Sequence, residues 1–154
     1  MAMVIKCSKG RVQVIKCDAW RKNEPFPTNF WLICPYLVYL AGRVESEGGV
    51  KELEKYIEEK GLSKKYYEYN RLHAELRLKR LGAVRNKFYS KYAPKKYRKL
   101  MSTGIGGIKY NKETVRVKCL HLQLSSLIGT GKHPAKEWFK SKGLICECEN
   151  ICKR

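Results

Sequence analysis

The chain has 154 residues, 44% of them hydrophobic, enough for one folded domain that buries roughly two thirds of its unfolded surface. Thirty-three Lys and Arg against 14 Asp and Glu give a formal charge of +19, which predicts attraction to polyanions, whether nucleic acid, another phosphate-rich ligand or an acidic membrane surface, with a basic solvated surface as the alternative. The longest mostly apolar run, Phe30 to Ala41, is too short to span a bilayer and is broken by Cys34-Pro35, which excludes a membrane helix there. Met1-Ala2-Met3 leads straight into strand-like residues without the charged and apolar regions of a secretory leader, so the expected location is the cytoplasm. Seven cysteines cannot all pair within one chain, and in that compartment they are expected as thiols or metal ligands.

Val4-Ile5-Lys6-Cys7 and Val12 to Cys17 are short β-branched runs either side of Ser8-Lys9-Gly10-Arg11, a hairpin pattern that puts its two thiols near opposite ends. Phe30-Trp31-Leu32-Ile33 is a further strand. Cys34-Pro35 then opens a helix, with proline at the first helical position and Cys34 at the N-cap. A thiol there meets the positive end of the helix dipole, which favours its thiolate; the alternative is a small buried residue at a strand-to-helix junction. Gly48-Gly49 ends this helix. Val50 to Lys60 forms the next, with Val50, Leu53, Tyr56 and Ile57 apolar and Gly61 as its stop.

Ser63 is the expected N-cap of a long helix from Lys64 to about Leu81. Arg71 to Leu100 carries eleven Lys and Arg and a single acid, Glu75, with Tyr89, Tyr92 and Tyr97 interleaved. Exposed rings among cations suit single-stranded nucleic acid; tyrosines packed inward under a solvated charged face are the alternative. Ser102-Thr103-Gly104-Ile105-Gly106-Gly107 is a flexible run whose amides can cup an anion.

Arg116-Val117-Lys118-Cys119-Leu120-His121-Leu122 gathers two cations, a thiol and an imidazole. Val117, Leu120, Leu124, Leu127 and Ile128 recur at helical spacing. On an ideal helix Cys119 and His121 lie about 200° apart, so they share a ligand only if the first turn is irregular or the helix begins later. Gly129-Thr130-Gly131-Lys132 lacks full phosphate-loop spacing and reads as a helix C-cap. Ala135 to Lys142 is a short helix anchored by Trp138 and Phe139. The tail carries Cys146, Cys148 and Cys152, three thiols in seven residues. A tetrahedral zinc site or a cubane cluster takes four ligands, so the remainder must come from elsewhere in the chain.

Four segments occur in one order: Pro25 to Leu37, Arg43 to Gly48, Gly104 to Ile108, and Arg116 to His121. In them the chain resembles the bacterial domain-of-unknown-function 501 family over roughly Val4 to Trp138. The resemblance implies a bacterial intracellular protein and brings no activity, substrate or fold.

The expected architecture is an α+β domain, mostly helical, with a short N-terminal hairpin or sheet packed against a helical bundle. It spans residues 1–142, with the cysteine-rich tail 143–154 folded back onto it. Three functions fit. The first is a metal-binding protein, zinc or iron–sulfur, with ligands drawn from Cys7, Cys34, Cys119, His121, Cys146, Cys148 and Cys152 and a basic surface for a phosphate-rich partner. The second is an enzyme with Cys119 as nucleophile, His121 or His133 as base, and Gly104, Gly106, Gly107, Arg116 and Lys118 as anion cradle. The third is a nucleic-acid-binding module with structural cysteines.

Overall fold

The computed structural model describes residues 3–146. It is mostly helical (56%), with a small N-terminal antiparallel sheet packed against helices. The sheet follows from three apolar runs. β1 (Val4–Lys6) and β2 (Val12–Lys16) form the expected hairpin, and β5 (Phe30–Leu32) pairs with the other edge of β2, Val14 opposite Leu32. Alternation in β5 turns Phe30 and Leu32 into the core and Trp31 outward. Between β2 and β5 the chain makes a second, two-stranded ribbon, β3 (Trp20–Arg21) with β4 (Glu24–Pro25).

α1 (Pro35–Ser46) starts where proline sets it, with Cys34 at the N-cap, and α2 (Gly49–Glu59) follows after a tight turn. α3 runs Ser63–Tyr92 and is interrupted at Gly82, whose φ of 71° is open to glycine at little cost; the first limb thus ends where the sequence suggested. α4 (Pro94–Met101) folds back against it. A 3-10 turn, Ile105–Gly107, precedes a stretch without regular structure and then α5 (Leu120–Thr130), which ends at Gly131 in the left-handed conformation of a helix C-cap. α6 (Lys136–Ser141) seats Trp138 and Phe139 in the core. Leu144, just after it, is also fully buried. Among the described residues no helix is long and apolar enough to cross a membrane.

The main core lies between the sheet, α1, α2, the first limb of α3 and α5, filled by Val14, Phe30, Leu37, Leu53, Leu120 and Leu124. Gly129 of α5 lets that helix approach the sheet so closely that a Cβ there would overlap the Phe30 ring. A smaller cluster of Ala19, Trp20, Leu81 and Leu100 holds the β3–β4 ribbon to α3 and α4, with Tyr89 stacked 3.9 Å over Trp20.

Polar groups join these parts. Arg77 is fully buried. Its Nη1 donates to the carbonyls of Pro27 (2.9 Å) and Gly104 (3.1 Å), and its Nη2 to that of Thr103. Burial lowers its pKa to about 10, so it stays charged at neutral pH. One turn on, Arg80 donates to the carbonyls of Cys17 and Asn29, both at 2.7 Å. Deeper in, His133 bonds Gln123 through Nε2 (2.9 Å) and accepts the Ala135 N–H at Nδ1, a pairing that needs the neutral ring. His73 lies nearby, with Nδ1 accepting from Asn29 (3.1 Å). Burial pushes both histidines down to about 3, with neighbouring charges adding a smaller part.

Two stability predictions come from these buried groups. Arg77→Met should cost about 3 kcal/mol or more by urea denaturation, because three carbonyls lose their donor in the interior; Arg98→Met, on the exposed face of α4, should cost under about 0.5 kcal/mol. The histidine pKa values are depressed in the folded state, so the unfolded chain takes up protons first as pH falls. Their stabilisation is complete above pH about 6.5 and is lost as pH drops from there towards 3. Each histidine should add about 1.4 kcal/mol per pH unit to that loss. His73→Gln should remove one proton's share of the slope in a pH series of unfolding free energies.

Candidate metal centre

α5 begins at Leu120, not at Val117 as the apolar spacing suggests. Val117 lies outside the helix, and Cys119 is extended, with φ −161° and ψ 158°. That removes the helical offset between Cys119 and His121. The cause is a pair of carboxylates reaching across from the first two helices. Glu54 of α2 accepts the Val117 N–H at 2.8 Å. Glu45, in the last turn of α1, accepts the N–H groups of Leu120 and His121 (3.2 Å for the latter). Cys119 occupies the N-cap position without a capping bond from its own side chain, and Glu45 supplies the acceptor instead. A carboxylate also suits the positive end of α5.

Glu45 Oε1 lies 3.0 Å from His121 Nδ1, and the ring's Nε2 lies 3.1 Å from the Val38 carbonyl. Glu45, Cys119 and His121 thereby form a group whose ligand atoms all lie within 4.8 Å of one another, a group that can hold a metal ion. All three are half-buried. Cys119 and His121 border a cleft of about 390 Å³ lined also by Trp31, Leu32, Val38 and Lys118. Burial holds the Cys119 thiol above its ordinary range. The Glu45 charge adds to this, while the N–H groups of Leu122 and His121 and the Lys118 charge pull the other way.

Among the described residues, no other cysteine or histidine singled out from sequence joins this group of ligand atoms. Cys7 sits at the hairpin turn, Cys34 is buried at the start of α1, and Cys146 packs partly on the core. Cys148 and Cys152 lie outside the described residues. His133 is buried in its pairing with Gln123. In the glycine run the Gly104 N–H goes to the Ile108 carbonyl, the Ile105 N–H to Asn70 Oδ1 and the Gly107 N–H to the Gly104 carbonyl. The glycines also allow close approach: a Cβ at Gly104 would overlap Asn70, and one at Gly106 would overlap Leu122. Lys118 reaches back to the Gly106 carbonyl at 3.2 Å, which ties the run to the start of α5; Arg116 is exposed.

Glu45 is the residue the sequence reading passed over. It lies in Arg43 to Gly48, one of the segments that carried the family resemblance, but a carboxylate near a helix end has no spacing that marks it as a ligand. Residues 3–141 match the family described as Protein of unknown function (DUF501), and the chain belongs to that family. No curated protein and no solved structure matches the chain.

Glu45→Ala should destabilise the protein by about 2 kcal/mol, since two N–H groups of α5 lose their acceptor. Glu45→Gln keeps an acceptor oxygen and should recover at least half of that in the same denaturant titration.

Proposed function

We propose that Glu45, Cys119 and His121 bind a divalent metal ion, that zinc suits them best, and that the basic surface engages a phosphate-rich partner. The observation supporting the metal is the convergence of carboxylate, thiol and imidazole within 4.8 Å. Zinc accepts mixed sulfur, nitrogen and oxygen ligands. An iron–sulfur cluster draws mainly on cysteines, and the converging group supplies one. The His121 ring is held between two acceptors, the Val38 carbonyl at Nε2 and Glu45 at Nδ1; in the tautomer with hydrogen on Nε2, a metal would take the place of the Nδ1 proton beside Glu45. Glu45 has a second oxygen besides the one that caps α5.

Three protein ligands leave one tetrahedral position for water or a small ligand. A zinc ion there would supply Lewis acidity. The chain's own part is to hold the three donors in place and to flank them with the apolar wall of Trp31, Leu32 and Val38. Cys146, Cys148 and Cys152 offer further thiols, and the experiment has to separate them from this site.

Binding must displace the Cys119 proton. Because the folded-state pKa lies above the ordinary thiol value, affinity should rise with pH through neutrality and keep rising beyond the ordinary thiol range, by up to about tenfold per unit for that proton. Calorimetric titration with zinc should lose one equivalent in Cys119→Ser and in His121→Ala, and keep it in the double variant Cys148→Ser/Cys152→Ser. Zinc at about 100 times Kd should stabilise the wild type by about 2.7 kcal/mol. Loss of that equivalent in the tail variant, with its retention in Cys119→Ser, would reject the site.

A further inference from the structure

Leu76 to Lys112 contains twelve Lys and Arg and no acidic residue. The structure divides the cations of this stretch. Arg77, Arg80 and Arg85 turn inward to the 17–29 segment and the glycine run, and Lys96 pairs with Glu24. Lys79, Lys87, Lys91, Lys95, Arg98 and Lys99 remain exposed. The aromatic residues divide in the same way. Tyr89 stacks on Trp20, and Tyr97 bonds Asn86 through its hydroxyl (3.2 Å) beside the smaller core.

Phe88 and Tyr92 face solvent at 54% and 65% exposure, one turn apart, with ring centroids 4.8 Å from each other. Val84, one turn earlier, is 83% exposed. Each ring is immediately preceded by a lysine, Lys87 and Lys91, and Lys91 Nζ lies 5.2 Å from the Tyr92 centroid.

From this we infer that the second limb of α3 binds single-stranded nucleic acid, with bases stacking on Phe88 and Tyr92 and phosphates held by Lys87, Lys91 and neighbouring cations. Two exposed rings on successive turns are separated by about 6 Å of helix rise, a ladder that successive unstacked bases can climb. Packing accounts for only part of these rings: Phe88 meets Tyr89 edge-on at 5.3 Å, yet more than half of the Phe88 and Tyr92 surface stays in solvent. A second copy of the chain placed symmetrically is a poor occupant, since it would bring together two surfaces in which exposed lysines and arginines outnumber the acids Asp18 and Glu24. The apolar strip is three side chains long and bordered by lysines, too small to seat in a bilayer. The inference rests on the reading of the basic surface as a phosphate-binding face and is independent of the metal centre.

The test is fluorescence anisotropy with a labelled oligouridine of about 20 nucleotides, titrated from low salt upward on the full chain, with and without chelator. Wild type should bind at low salt with a negative log–log slope of about 0.7 per phosphate contact. Phe88→Ala/Tyr92→Ala should weaken binding about tenfold or more at every salt concentration and leave the slope unchanged. Lys87→Gln/Lys91→Gln should reduce the slope by up to about 1.4. Both variants alter exposed side chains, and the lysine variant decides the matter alone if the aromatic one does not fold. No binding at low salt overturns the inference. So does wild-type affinity in Phe88→Ala/Tyr92→Ala; if inorganic polyphosphate still binds in that case, the basic-face reading stands while stacking falls. Equal competition by polyglutamate or by phosphatidylserine vesicles also overturns it, in favour of an acidic protein or a membrane.

Discussion

The guanidinium of Arg77 is the constraint on which the rest of the arrangement depends. A buried cation without a carboxylate partner is costly unless its donors are met; here three carbonyls from two distant segments meet Nη1 and Nη2, while Nε is buried without a partner. Pro27 leads into β5, against which α5 packs. Thr103 and Gly104 lead into the turn that holds Lys118 and Leu122 at the start of α5. One side chain on α3 thus sets the distance between the sheet edge and the segment carrying Cys119 and His121. Lysine could not replace it, because a point charge lacks the planar fork that serves several acceptors at once.

The acidic residues do comparable work at the other end of that segment. Seven of the fourteen fall between Glu45 and Glu68. Two of them, Glu45 and Glu54, are bonded to backbone N–H groups at the entry to α5. The same Glu45 oxygen that terminates the helix lies beside the His121 ring, so helix start and ligand convergence have one cause. Without the carboxylate the apolar spacing of Val117, Leu120 and Leu124 would let the helix begin earlier and carry Cys119 away from His121.

Much of the fold was legible because it rests on local rules. Proline at Pro35, glycine at Gly131, alternation in Phe30-Trp31-Leu32 and the two hairpin runs each specify a boundary or a face. Cys119 and His121 stood out by chemistry, and of the two conditions for their meeting, an irregular first turn or a later helix start, the structure has the later start. Glu45 did not stand out, because its role comes from a contact 76 residues away in sequence that no period encodes. The glycine run was ambiguous for a related reason. Gly104 and Gly106 are needed for close packing against Asn70 and Leu122, and sequence alone does not distinguish that from an anion cradle. The basic stretch likewise mixes two populations. Arg77, Arg80 and Arg85 are internal anchors and the lysines face outward, a division that follows from the facing of α3 against the 17–29 segment and not from charge.

The central claim is that carboxylate, thiol and imidazole from α1 and the start of α5 make one mixed metal site. X-ray absorption at the zinc edge of the full chain loaded with a single equivalent tests it most directly. The expected first shell has one sulfur at about 2.3 Å and two or three nitrogen or oxygen ligands at about 2.0–2.2 Å. A shell made only of sulfur, unchanged in Cys119→Ser, would contradict it and would place the metal on the other cysteines.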